Sequence, residues 1–272
     1  MPGRGGELIP GDYRPGFRRA FAWWLRRFVR RRFHAVRMVH GGADVLSRAA
    51  ASPGPVLLVS NHASWWDPLV GLYVHDRWFR DRPIASPIDR TQLENFRFFR
   101  KLGMFGVDPD DATGLRPFVR HVEGLFRDSP RTLLMMTPQG RFVDPRLPVR
   151  IRPGAALLAS RLPGMRICAV AIEYGFWTDQ RPECFMRAVD VAAPDAGAAS
   201  TVAAWQQRIE STMDANARAL AEITCARDAS AFESIVGGGD GRIHPVYDAV
   251  LRITGRRTSI GTSHRRPEGA HP

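Results

Sequence analysis

Apolar residues run in short unbroken blocks through the middle of the chain: Val56-Leu57-Leu58-Val59, Leu133-Leu134-Met135-Met136 and Ile167-Cys168-Ala169-Val170-Ala171-Ile172. A block that is apolar at every position suits a strand covered on both faces, the situation in a parallel sheet sandwiched by helices. Strands are expected at 55–60, 83–87, 104–108, 131–136, 166–173 and 183–190. Between them apolar positions recur at helical spacing, as at Leu115, Phe118, Val119, Val122, Leu125 and Phe126. Helices are therefore expected at 68–78, 91–101, 113–128 and 153–161. A long one at 199–225 carries the stripe Val202, Trp205, Ile209, Met213, Ala217, Leu220 and Ile223. Residues 230–236 fit one more short helix. The alternation predicts an α/β fold: a mostly parallel sheet flanked by helices.

The amino-terminal stretch has a different texture. Phe17, Phe21, Trp24, Leu25, Phe28 and, further on, Ala35 recur at helical spacing, and nine arginines lie between Arg14 and Met38. Such a segment is too charged to span a bilayer, which needs roughly 20 predominantly apolar residues. Two readings stay open: a basic amphipathic helix lying in a membrane interface, or a helix packing its aromatic stripe on the sheet. The expected organisation is a flexible 1–13, a basic amphipathic helical membrane-contact segment at 14–48, an α/β domain at 49–236, and a carboxyl-terminal 237–272. That last region reads as a Gly-rich linker, a short helix and a disordered tail. The glycines of Gly237-Gly238-Gly239-Asp240-Gly241 have neither a strand before them nor a lysine after them, so a linker or turn outweighs a phosphate loop.

The net charge of +12 calls for an anionic partner: a phospholipid surface, an acidic carrier protein, coenzyme phosphates or nucleic acid. Nucleic acid is set aside, because no recognised binding motif accompanies the charge and the aromatic residues of the arginine-rich segment share one stripe. Lys101 is the single lysine. The three cysteines, Cys168, Cys184 and Cys225, are widely spaced, and the chain reads as a reduced, cytosolic protein with no metal site.

The chemistry concentrates where the first apolar block ends, in Ser60-Asn61-His62-Ala63-Ser64-Trp65-Trp66-Asp67-Pro68. Catalytic groups of open α/β sheets gather at the carboxyl ends of strands. Imidazole moves protons near neutral pH, and a carboxylate on its second nitrogen fixes the useful tautomer. His62 and Asp67 thus form the base-and-orienter half of a triad with no evident protein nucleophile, which suits activation of a substrate hydroxyl. The plainer alternative is a hydrogen-bonded loop pair, with Asn61 and Ser64 capping the next helix.

The Asn-His-x4-Asp grammar resembles the first signature block of the glycerolipid (lysophospholipid) acyltransferases, and later segments resemble further blocks in order over about residues 50 to 175. The second block, a glycine and then an arginine that holds the acceptor's phosphate, has Gly103 but Pro109 at the arginine's place. Proline offers neither charge nor N–H, leaving Lys101 or Arg100 as substitutes. The third block corresponds to Pro138-Gln139-Gly140-Arg141, with Gln139 in place of a glutamate and Arg141 one position early. Arg141 is either a phosphate fork or an ordinary ion-pair partner.

The resemblance implies acyl transfer from a thioester to a lipid hydroxyl, with His62 and Asp67 catalytic and no covalent intermediate. Asn61, Lys101, Gly103, Gln139, Gly140 and Arg141 would bind substrate, and backbone N–H groups of the 138–141 turn would face the oxyanion. No cofactor is implied beyond acyl-CoA or an acyl carrier protein as the donor. The expected partners are an anionic membrane surface and a lipid acceptor, lysophosphatidic acid-like or another lipid alcohol. The expected location is the cytoplasmic face of the membrane, peripherally bound. The competing reading is a non-catalytic lipid- or membrane-binding protein on the same fold.

Overall fold

A computed structural model describes residues 8–177, 179–195 and 201–238. In chain order its elements are α1 (Pro15–Arg32), β1 (Ala35–Val39), α2 (Gly42–Ala51), β2 (Val56–Ser60), α3 (Asp67–Trp78), β3 (Ile84–Asp89), α4 (Arg90–Asn95) and β4 (Met104–Val107). Then follow α5 (Leu115–Asp128), β5 (Leu133–Met136), α6 (Gly154–Arg161), β6 (Arg166–Gly175), β7 (Glu183–Asp190), α7 (Val202–Cys225) and β8 (Phe232–Gly237).

The strands make one eight-stranded sheet in the order β4-β3-β5-β2-β6-β7-β1-β8. Strands β2 to β6 run parallel, β7 reverses against β6, β1 is parallel to β7, and β8 is antiparallel to β1. The result is a mixed, mostly parallel α/β sheet flanked by helices, as the apolar blocks predict. Alternate side chains of β2 serve different faces. Val56 and Leu58 join a core with Leu25, Leu46 and Leu69 of α1, α2 and α3, while Leu57 and Val59 join Phe118, Leu158 and Ile209 of α5, α6 and α7. Burial on both faces is why this strand carries no polar alternation.

Two buried arginines bind the layers together. Arg18 of α1 pairs with Asp76 of α3 at 3.3 Å, and the same carboxylate holds Arg26 at 2.6 Å. This fixes α1 along the helix that begins at Asp67. Arg82 is 1% exposed and donates only to neutral oxygens: the carbonyls of Ala49, Ala50, Ser52, Gly54 and Arg131, and the Ser52 hydroxyl. It closes the carboxyl end of α2 and ties it to the start of β5.

Several segments depart from the sequence expectation. Six strands and the helices at 68–78, 113–128, 153–161 and 199–225 occur within a few residues of their expected bounds. The helix expected at 91–101 breaks at Phe96 into α4 and a 3-10 turn, Arg97–Leu102, which brings Phe98 beside Phe21 of α1. The segment 14–48 is not one helical unit. Its helix ends at Arg32, and Ala35, expected on the aromatic stripe, opens β1, an interior strand whose Arg37 is paired in the core with Glu183 at 2.5 Å. Residues 230–236 form a 3-10 turn and β8 in place of a helix, because they complete the sheet beside β1. Of the stretch expected to be flexible, Ile9 bridges Gly106 in both directions, at 3.0 and 2.8 Å. Residues 1–7 and 239–272, and with them most of the expected linker, short helix and tail, lie outside the described residues. Among the described residues no helix is long and apolar enough to cross a membrane.

Gly103 has a structural reason of its own. It sits at φ +97, and a Cβ there would lie 2.1 Å from the Ile84 carbonyl oxygen. Gly103→Ala is expected to cost about 2–4 kcal/mol of stability, read as an earlier midpoint in urea unfolding with an unchanged slope.

Candidate active site

The strand β2 ends at Ser60, and the chain turns through Asn61 and His62 before α3 starts at Asp67. Asn61 is buried and behaves like one more strand residue. Its Oδ1 accepts from the Ile172 N–H at 2.7 Å and its Nδ2 donates to the Ile172 carbonyl at 2.9 Å. This double bond locks the turn to β6 and positions the next residue. His62 is held from two further sides, its N–H donating to Gln139 Oε1 at 2.9 Å and its carbonyl accepting from Val143 at 2.8 Å.

His62 Nδ1 lies 2.8 Å from Asp67 Oδ2, with the histidine side chain 18% exposed and the carboxylate 1% exposed. An ionised carboxylate only accepts, so the proton sits on Nδ1 and Nε2 is the free, basic nitrogen. Asp67 Oδ2 also accepts from the Ser64 N–H at 2.9 Å, and Oδ1 accepts from the Tyr174 hydroxyl at 2.7 Å. Among the described residues no serine, threonine or cysteine side chain hydrogen-bonds the imidazole. Phe142, 60% exposed, lies with its ring centroid 4.3 Å from that of His62.

Gln139, Gly140 and Arg141 follow β5, which neighbours β2, so they share the carboxyl edge with His62. Gly140 adopts φ +67, and its N–H is committed to the Thr137 carbonyl at 3.0 Å. Of the 138–141 turn expected to face the oxyanion, Pro138 has no N–H and Gly140 has spent its own, which leaves Gln139 and Arg141 as the backbone N–H candidates. Arg141 is exposed.

Lys101 and Gly103 are not part of this constellation. Both precede β4, which runs parallel to β2, β3 and β5, so they lie at the amino-terminal edge of the strands, opposite to His62. Lys101 Nζ sits over the Phe17 ring at 5.4 Å, and Arg100 donates to the Pro10 carbonyl at 3.0 Å. Neither substitutes for the arginine missing at Pro109.

Arg152 stands there instead. Its guanidinium bonds the Pro109 carbonyl and lies 2.7 Å from Asp110 Oδ1, at the carboxyl end of β4. Its side chain crosses Gly140, where a Cβ would lie 2.4 Å from Arg152 Nε. Its own N–H donates to the Pro138 carbonyl at 2.8 Å. Sequence reasoning missed Arg152 and Tyr174, and the tripeptide Arg152-Pro153-Gly154 carried no local signal for the first.

No protein-family model matches the chain, and no curated protein matches it. A solved structure does. The 1-acyl-sn-glycerophosphate (LPA) acyltransferase PlsC from Thermotoga maritima superposes with a TM-score of 0.48 at 14% identity, over 76% of this chain and 81% of that one.

Aromatic rings lead away from the site along α1. Trp66 touches Phe33 edge-on at 4.8 Å and Phe28 at 5.6 Å, and the series continues through Trp24, Phe21 and Phe98. Trp23, Trp24, Trp65 and Phe98 of this region are exposed, as are Arg19, Arg27, Arg30, Arg31 and Arg32. The packing reading holds for one face of the helix: Ala22, Leu25 and Val29 enter the core, while Trp23 and Trp24 stay at the surface. Among the described residues no group of three or more His, Cys, Asp or Glu stands close enough to hold a metal ion.

Proposed function

We propose that the chain is an O-acyltransferase that moves an acyl group from a thioester to a lipid hydroxyl at a membrane surface. One observation carries the reading: a carboxylate-oriented imidazole, its Nε2 free, with no protein nucleophile bonded to it. The acceptor hydroxyl gives its proton to His62 Nε2 as its oxygen bonds to the thioester carbonyl carbon. Collapse of the tetrahedral adduct breaks the carbon–sulfur bond, and the leaving thiolate takes the proton back from His62. Asp67 stabilises the imidazolium between these steps.

The donor is acyl-CoA or an acyl carrier protein thioester, and no further cofactor is needed. The exposed tryptophans and arginines of α1 would rest on an anionic membrane surface, with about 1 kcal/mol from each arginine near the headgroups. The thioester donor is a cytoplasmic metabolite, so the protein would work peripherally on that side. Arg152 and Arg141 flank the Gly140 turn at the edge that carries His62, which favours a phosphate-bearing acceptor of the lysophosphatidic acid kind over an uncharged alcohol.

The test is thioester consumption by purified protein, with lysophosphatidic acid and separately with a monoacylglycerol. Arg141→Ala and Arg152→Gln are each expected to raise KM for lysophosphatidic acid about 10- to 100-fold, the worth of a hydrogen bond to a charged group, and to leave KM for monoacylglycerol unchanged. Turnover with the uncharged alcohol alone would reassign the acceptor. Silence with every donor and acceptor, with vesicle binding retained, would leave the non-catalytic binding protein.

A further inference from the structure

The Asp67 carboxylate lies in a nearly closed environment, with no Lys or Arg among its bonded partners. Its compensation comes from three donors: His62 Nδ1 at 2.8 Å and the Ser64 N–H at 2.9 Å on Oδ2, and the Tyr174 hydroxyl at 2.7 Å on Oδ1. Two of these donors come from the same turn as Asp67. Tyr174 comes from the end of β6, far along the chain, and reaches Asp67 because the Asn61 clamp on Ile172 sets the register two residues before it. Side chains two apart on a strand share a face, so the clamp that holds His62 also delivers the hydroxyl. Phe33 closes the far side, with ring centroids 6.1 Å from Tyr174 and 4.8 Å from Trp66.

We propose that Tyr174 is a positioning residue for the His62–Asp67 pair, its hydroxyl fixing the rotation of the Asp67 carboxylate so that Oδ2 alone faces the imidazole. Without it, Oδ1 is a buried acceptor with no donor, and the carboxylate regains a rotation that exchanges its two oxygens in front of Nδ1. The hydroxyl also draws charge to Oδ1, which weakens the hold of Asp67 on an imidazolium and keeps Nε2 available as a base.

The titratable groups around this bond are few. Cys184 lies opposite Tyr174 in the β6–β7 register, and burial pushes its thiol well up. Burial first, then Cys184 and Asp67, push the Tyr174 phenol far above its ordinary value. The hydroxyl therefore stays protonated and able to donate to Asp67.

The experiment compares the full chain with Tyr174→Phe, and with Phe33→Leu as a packing control that keeps the hydroxyl. Ring nitrogen resonances of His62 report its tautomer without substrate. Both proteins are expected to show the Nδ1–H tautomer, and Tyr174→Phe to hold its imidazolium to higher pH than the wild type. In turnover, Tyr174→Phe should lower kcat roughly 10- to 100-fold, as loss of an outer partner commonly does, with KM unchanged and the acidic limb of the pH profile moved to higher pH. Phe33→Leu should lower thermal stability and leave tautomer and limb in place. An imidazolium that deprotonates at the wild-type pH and an unmoved limb in Tyr174→Phe, or the same changes in Phe33→Leu, would overturn the assignment. The kinetic arm rests on the acyl-transfer reading. A wild type without turnover would sink that reading, and the resonance comparison would still decide the role of Tyr174.

Discussion

His62→Ala is expected to abolish acyl transfer, lowering kcat by about 10³- to 10⁴-fold or more, while the protein melts within a few degrees of the wild type. General-base catalysis by a positioned side chain is commonly worth 10²- to 10⁴-fold, and in the proposed mechanism the base is also the later proton donor, so both halves of the reaction would lose it. The fold is spared for a specific reason. The His62 backbone bonds to Gln139 and Val143 survive truncation at Cβ, and the imidazole is partly exposed instead of filling the core. Asp67→Asn should approach the same loss by another route: an amide in that place can present N–H to Nδ1, which turns the ring to the wrong tautomer. Matched thioester-release assays and thermal melts of the two variants check this. Retained turnover in His62→Ala would remove the imidazole from the mechanism.

Arg82→Met should behave in the opposite manner. The side chain it replaces is fully buried and donates to six acceptors in two loops and the end of α2. Methionine fills similar volume, yet the carbonyls of Ala49, Ala50, Ser52, Gly54 and Arg131 lose their donor in a place water does not easily enter. Each orphaned buried acceptor costs on the order of 1 kcal/mol or more, with relaxation sharing the loss, so about 3–5 kcal/mol overall is expected. For a chain of this size that is roughly a 10 °C fall in Tm, measurable by calorimetry. These acceptors lie near the start of β2 and β5, away from His62, so the folded fraction at low temperature should keep its specific activity. Equal loss of activity and stability would mean the two ends of the sheet are coupled.

The two variants separate what the sequence reveals from what it conceals. His62 and Asp67 are neighbours in the chain, so their pairing was legible from spacing and chemistry alone. The apolar blocks announced β2, β5 and β6 because residues of each are buried on both faces of the sheet. Strands β1 and β8 were hidden for the converse reason. Arg37 makes β1 look like a continuation of the basic helix, and only Glu183 and Trp177, met late in the chain, make a buried guanidinium tolerable there. In β8, Glu233 and Ser234 break any apolar run. Lys101 was misplaced because closeness to Gly103 in sequence says nothing about which end of a strand a side chain occupies. Tyr174 and Arg152 became visible only with the register of β6 and the path across Gly140. Deleting residues 1–38 would remove nearly all of the interior strand β1 along with α1, so surface substitutions at Trp23 and Trp24 are the cleaner probe of membrane contact.

The position of β1 between β7 and β8 also sets a timetable. Ala35 pairs with Glu183 on one side and Gly237 on the other, so a strand synthesised early waits for partners synthesised near the end. Tyr174 arrives earlier, with β6, so Asp67 gains its third donor while β1 still lacks both neighbours. During synthesis the arginines and tryptophans of α1 meet their surroundings first, and β1 is enclosed last. Such non-local pairing makes for slow maturation: the nascent chain is adhesive before it is competent.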